Sequence, residues 1–211
     1  WRDEFRHTCV GRLLLNSRDN ATREAEARLL TALAPVLAHY SKQSHCRIDM
    51  EGVGRGCWSD EPDVADTVGW FTAFYPCTIP LANDFATLLP DIRQRLVQRP
   101  NGGGDYGVLH MQQQLTSTLP SEIRLNYIGR EVNPVLTHFK IDHQRSAIYS
   151  APENHLGCTL EFNLSLNANG NLVFYCRFDP SLITLNEVQR VIARYKTSLI
   201  NLDIWLKRQV K

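Results

Sequence analysis

The sequence has no surplus of charge of either sign. Its 23 Lys and Arg are set against 22 Asp and Glu over 211 residues, a formal net charge of +1. That removes the basic stripe that nucleic acid selects and the charged tail of a disordered partner arm. Apolar stretches are broken by polar residues well before bilayer-spanning length, so no transmembrane helix is expected. The opening residues Trp1-Arg2-Asp3-Glu4-Phe5-Arg6 lack the apolar segment of a secretory signal. Close cysteine pairs are missing too. Cys9, Cys46, Cys57, Cys77, Cys158 and Cys176 stand far apart, without the short spacing of a zinc site, and are expected as free thiols in a reducing cytoplasm. The sequons Asn20-Ala21-Thr22 and Asn163-Leu164-Ser165 then read as chance matches. Gly102-Gly103-Gly104 has no strand before it and no lysine after it, which excludes a phosphate-cradling loop. Internal repeats and low-complexity tracts are absent.

What is present is an ordinary core-forming composition, 43% hydrophobic and 21% charged, in a length suited to one domain or one large lobe. Helical spacing through Ala25, Leu29, Leu30, Leu33, Val36 and Leu37 predicts a helix over residues 22–43, capped by Asn20 or Thr22 and kinked or broken at Pro35. A short strand over residues 46–51 should run into the loop Gly52-Val53-Gly54-Arg55-Gly56, followed by an acidic linker over residues 59–66. The aromatic and β-branched stretch 67–79 predicts a largely buried strand ended by Pro80, with Trp70, Phe71, Phe74 and Tyr75 mostly in the core. A helix is expected over 84–98, interrupted in its first turns by Pro90, then a turn at 101–104, a short helix over 106–115 and a strand over 123–128. Two alternating runs, 160–166 and 172–178, flank Asn167-Ala168-Asn169-Gly170 and predict a hairpin. A long helix capped by Thr184 or Asn186 should follow to about Arg208. Mixed elements without regular βαβ alternation, plus one antiparallel hairpin, point to an α/β two-layer sandwich.

Four stretches resemble one family. Met50-Glu51-Gly52-Val53-Gly54-Arg55 is similar to Glu-Gly-His-Gly-Arg, and Thr67-Val68-Gly69-Trp70-Phe71-Thr72-Ala73-Phe74-Tyr75-Pro76 to Thr-Val-Gly-Trp-Phe-Thr-x-x-(Tyr/Phe)-Pro. Gly104-Asp105-Tyr106-Gly107-Val108-Leu109 matches Gly-x-x-Tyr-Gly-x-Leu, and Leu125-Asn126-Tyr127-Ile128-Gly129-Arg130 is close to Phe-Asn-Tyr-Leu-Gly. In this order, over residues 29–202, they resemble the C-terminal lobe of the epimerization domains of nonribosomal peptide synthetases, within the condensation-domain superfamily. Residues 1–21 match poorly. Gly-Trp-Phe-Thr separates the resemblance from condensation domains, which usually carry Gly-x-Phe-x-Asn-Thr there.

The resemblance implies one chloramphenicol-acetyltransferase-like lobe of a V-shaped pair and L-to-D epimerization at the α-carbon of a carrier-bound aminoacyl or peptidyl thioester. It implies a peptidyl carrier protein and an N-terminal lobe as partners. No cofactor is expected on the chain itself; 4′-phosphopantetheine comes on the carrier, and no metal is implied. It places Glu51 and Tyr127 in acid/base work, with Arg55, Asn126 and Thr72 toward substrate: Arg55 to orient Glu51, Asn126 to hydrogen-bond the enolate. A solvated loop glutamate and a core tyrosine are the plain alternatives. Strand alternation allows only one of Asn126 and Tyr127 to point inward. His110, His138, His143 and His155 have no motif support. The sequence also departs from the family. Val53 replaces the motif's histidine, and the His-His-x-x-x-Asp of the other lobe occurs nowhere. An isolated lobe is therefore expected to be inactive and to expose an apolar surface where its partner packs. A condensation-type transferase lobe and a non-catalytic docking remnant are the alternative readings.

Overall fold

The computed structural model describes residues 2–5, 21–55, 63–64, 66–115, 121–130 and 155–209. In chain order its elements are β1 (Arg2–Phe5), α1 (Ala21–Tyr40), β2 (His45–Val53), β3 (Thr72–Pro80), α2 (Phe85–Val97), a 3-10 turn (Pro100–Gly103), α3 (Gly104–Met111), β4 (Ile123–Arg130), β5 (Leu160–Leu166), β6 (Leu172–Phe178) and α4 (Leu185–Gln209). The strands form one six-stranded sheet in the order β1-β6-β5-β4-β2-β3. β2 and β5 both run parallel to β4, and the other pairings are antiparallel.

Period-2 alternation sends one set of side chains from every central strand into the same core. Ile48 and Met50, Tyr75 and Ile79, Leu125, the even-numbered residues of β5, and Leu172, Phe174 and Cys176 of β6 are all buried in one core with residues of α1, α2 and α4. That is the expected two-layer α/β sandwich. α1 packs against both other long helices, and Arg93 of α2 clamps Glu24 of α1 with two hydrogen bonds of 2.8 and 2.5 Å. The ring of Tyr195 on α4 stands edge-on to Phe162 and Phe174, at centroid distances of 5.7 and 5.6 Å. Its hydroxyl donates to the Leu29 carbonyl of α1 at 2.9 Å.

Local chemistry sets several boundaries. Thr184 and Glu187 form a reciprocal capping box, with Glu187 Oε2 accepting from Thr184 N at 2.9 Å and Thr184 Oγ1 accepting from Glu187 N at 3.3 Å. Asp84 caps α2 by accepting from Ala86 N at 3.1 Å. In the hairpin, Asn167 Oδ1 gathers the amides of Asn169 and Asn171, and Gly170 takes a φ of 76°.

Three expectations are corrected. α1 continues through Pro35 to Tyr40, and α2 contains Pro90 without ending. A helix-interior proline costs about 3 kcal/mol. Leu33, Ala34, Val36 and Leu37 around Pro35, and Leu88, Leu89 and Ile92 around Pro90, are buried, and each large apolar side chain recovers about 1.5–3 kcal/mol. The strand expected from residue 67 starts only at Thr72. Its aromatic residues are mostly not core: Trp70, ahead of the strand, is 88% and Phe74, within it, 43% exposed, and only Tyr75 of the four is buried. Cys46, Cys77, Cys158 and Cys176 take part in no disulfide. Cys9, Cys57, the Asn20 cap, residues 59–62 of the acidic linker, His138 and His143 lie outside the described residues. No described helix is long and apolar enough to cross a membrane.

Tyr195→Phe should cost about 1 kcal/mol for the lost buried hydrogen bond, whereas Tyr195→Ala should cost about 3–5 kcal/mol for the cavity between the two phenylalanines. Urea denaturation of the chain checks both values.

Candidate active site

β2 and β4 pair in parallel only through Ile48↔Ile123, Asp49↔Arg124 and Met50↔Leu125. The next residues of each strand, Glu51 and Asn126, are joined by side chains instead: Asn126 Nδ2 donates to Glu51 Oε2 at 2.7 Å. Both stand on the sheet face opposite the helices, in phase with Asp49 and Arg124. Beyond them lies a cavity of about 760 Å³, lined by Glu51, Val53, Arg55, Thr72, Asn126 and Tyr127, so every sequence-predicted site residue reaches the same space. Thr22, Arg23 and Glu26 at the start of α1 also line it, as do Arg99 and Gly102.

Tyr127 arrives from the other side. Its register partner is Leu164, and it packs against the helix-covered core. A register shift between Tyr127 and Gly129, where Gly129 has a φ of 93°, ends the regular ladder beside it. Because the cavity lies off the strand ends, Asn126 and Tyr127 border it from opposite faces. Burial pushes the Tyr127 phenol up to about 12, so it is a proton-bearing donor at neutral pH.

Glu51 is half-buried, and its carboxyl is held above the usual carboxylate range. Burial contributes most, the nearby charge of Glu161 adds to it, and Arg124 opposes it. Arg55 does not supply that opposing charge. Its guanidinium donates to the carbonyls of Val64 and, at 3.3 Å, Gly69, and lies 4.1 Å from the centre of the Phe71 ring. The role that the sequence assigned to Arg55, orienting Glu51, falls instead to Asn126, and Arg55 fastens the loop ahead of β3. Gly54 permits this close packing, since a Cβ there would stand 1.8 Å from the Phe71 carbonyl oxygen. Asn126 is also redefined: its amide nitrogen donates to Glu51 and, at 3.3 Å, to Asn163 Oδ1. Both of its N–H groups are thus committed to protein acceptors, which leaves none for the enolate contact that the resemblance implied.

The polar sheet face holds residues that sequence reasoning missed. Glu161, only 5% exposed, accepts from Arg124 at 3.2 Å and from Asn163 at 2.6 Å, and Arg177 approaches it at 3.5 Å. Arg124 also lies 4.9 Å from the centre of the Phe74 ring. The signal was the polar phase of the alternating run 160–166, which on a single strand reads simply as the solvent side. Glu26 was hidden in the same way, as one polar residue within a helical pattern. Burial raises it to about 7, against the pull of Arg99 and Arg23. Among the described residues no group of three or more His, Cys, Asp and Glu is placed to hold a metal.

Glu161→Gln should lower the Glu51 pKa and Arg124→Met should raise it further, read by carboxyl NMR titration. For Glu26, the folded value of about 7 lies above the ordinary 4.5, so the folded state binds more protons between them and stability falls as pH rises through that window. Glu26→Gln should flatten this slope and make the chain more stable at pH 8 by about 1–3 kcal/mol in urea melts.

Comparison with known proteins is consistent with this geometry. Bacitracin synthase 1 of Bacillus licheniformis is 27% identical over 94% of this chain, which spans 4% of that protein. Surfactin synthase subunit 2 of Bacillus subtilis is 26% identical over 82% of the chain and 5% of that protein. The epimerization domain from the third module of tyrocidine synthetase B superposes with a TM-score of 0.84 at 21% identity, over 100% of this chain and 49% of that one. The first condensation domain of the CDA synthetase gives a TM-score of 0.64 at 12% identity, over 96% and 44%. The fold is shared with both, and the chain spans about half of each solved domain. The Condensation domain family profile matches residues 14–203, and the chain belongs to that family.

Proposed function

We propose that this chain is the C-terminal lobe of an epimerization-type domain, acting on the α-carbon of an aminoacyl or peptidyl thioester carried on the 4′-phosphopantetheine of a peptidyl carrier protein. The observation that carries this reading is the Glu51 carboxylate, half-buried and oriented by Asn126 at the wall of a cavity that Tyr127 also borders. The four motif stretches support it, as does the closer superposition on an epimerization domain than on a condensation domain.

In this reading the ionised Glu51 takes the α-proton. The electron pair of the Cα–H bond moves into the thioester carbonyl to form the enolate. Return of a proton to the opposite face of Cα, with the electron pair moving back, inverts the centre. A raised carboxyl pKa strengthens Glu51 as a base. Tyr127, protonated at neutral pH, is the chain's own candidate for donating a hydrogen bond or proton. Thr72 borders the entry at the start of β3, and Arg55 holds the loop beside it. The N-terminal lobe supplies the facing wall. Val53, 77% exposed, together with Val68, Trp70 and Ile128, forms an apolar rim suited to its packing. We place the assembled synthetase in the cytoplasm.

The exposed Val53, standing where the resemblance has histidine, favours a second reading in which the lobe only docks neighbouring domains. Deuterium wash-in at the α-carbon of a carrier-loaded amino acid separates the two. The full two-lobe domain should exchange, the isolated lobe should not, and Glu51→Gln in the full domain should slow exchange by about 10²-fold or more. Undiminished exchange by Glu51→Gln removes Glu51 from the chemistry. A full domain that forms amides with an added amine but does not exchange the α-proton is a condensation-type transferase, and one that does neither is a docking unit.

A further inference from the structure

The cavity that Glu51 borders is also lined by residues whose polar atoms the epimerization chemistry does not use. Glu26 is 5% exposed, and its Oε2 has no hydrogen bond; the nearest cation is Arg99 Nη1 at 3.8 Å. The buried Nε atoms of Arg99 and Arg23 also lack partners. Arg23, Glu26 and Arg99 all line this one cavity, and both arginines lie within electrostatic reach of Glu26. An unsatisfied buried polar atom costs roughly 1–3 kcal/mol, so three together mark a place shaped for something else to complete.

The cluster is also held in place. Arg99 donates to the Tyr75 hydroxyl and its guanidinium lies 4.9 Å from the centre of that ring. Tyr75 is in turn pressed by Gly103, where a Cβ would stand 2.2 Å from Tyr75 Cδ1. Arg99 is thereby held at ion-pair distance from Glu26 without a hydrogen bond to its Oε2.

We propose that Glu26, Arg23 and Arg99 form a polar subsite that takes an amide group of the carrier-bound acyl chain. The proposal rests on the reading of this cavity as the acyl site. One acceptor beside two donors suits a group presenting N–H and C=O together. A carboxylate would meet Glu26, an ammonium would meet two guanidinium groups, and an apolar side chain would leave all three atoms unsatisfied. The amide comes either from a carboxamide side chain or from the peptide bond of a peptidyl unit. With its carboxyl raised to about 7, Glu26 is mainly ionised at pH 8.

The test is equilibrium binding at pH 8 of pantetheine conjugates in which a thioether replaces the thioester, to the full domain carrying this chain. The acyl parts are leucyl, glutaminyl, N-acetyl-leucyl and glutamyl. The glutaminyl or N-acetyl-leucyl probe should bind about tenfold tighter than leucyl, and whichever gains identifies the source of the amide. Glu26→Leu and Arg99→Met should erase the preference, so that the amide-bearing probes bind no tighter than the leucyl probe. Glu26→Gln keeps an acceptor and the side-chain volume and should retain it, which separates lost recognition from lost folding. Equal affinities for leucyl, glutaminyl and N-acetyl-leucyl overturn the subsite alone, as does a preference that survives Glu26→Leu. Tightest binding of the glutamyl probe overturns the amide in favour of an anion. Failure of every probe to bind overturns the acyl cavity and the subsite with it.

Discussion

The short parallel pairing of β2 with β4 governs the site. Its backbone register ends at Met50↔Leu125, and one residue further the connection passes to the side chains of Glu51 and Asn126. Were the ladder shifted by one residue, every side chain would change face: Ile48 and Met50 would leave the core, and Glu51 would enter it. The apolar phase of β2, locked by burial in the core, therefore fixes the carboxylate beside the amide. Core packing and site geometry are consequences of the same register.

The face opposite the helices carries an unusual concentration of charge for a sheet. Glu161 is surrounded by Arg124, Arg177 and Asn163, and such a buried network is a weak source of net stability. Its effect on Glu51 is more definite, because Glu161 and Arg124 act on that carboxyl with opposite signs. The network thus sets a field at the strand ends as well as holding three strands in line.

Much of the fold was legible wherever local chemistry decides structure. The Thr184–Glu187 box, the Asp84 cap and the two alternating hairpin strands each state their conformation within a few residues. Glu51, Asn126 and Tyr127 were legible through motif resemblance, and alternation alone separated the faces of the last two. Pro35 and Pro90 misled because burial summed over whole helices outweighs a local penalty that a short window sees in full. Trp70 and Phe74 misled because aromatic composition is equally suited to a core and to an exposed surface. Arg124, Glu161 and Glu26 were illegible for a different reason. Each acquires meaning only from neighbours far along the chain, such as Glu161 beside Arg124 or Glu26 beside Arg99.

Among the described residues β3 is one of the two edge strands of the sheet, and it contains Pro76 and ends in Pro80. Proline offers no N–H, so this margin is a poor template for a strand arriving from another molecule. α3 packs against the same strand. A chain with exposed apolar side chains such as Val53, Trp70 and Ile128 near its strand ends runs an evident risk of sticking to copies of itself. Here the route by which such sticking most readily grows into extended β-aggregates is obstructed at that margin, and association is directed toward the ends of the strands, where a folded neighbour rather than a stray strand can be accommodated.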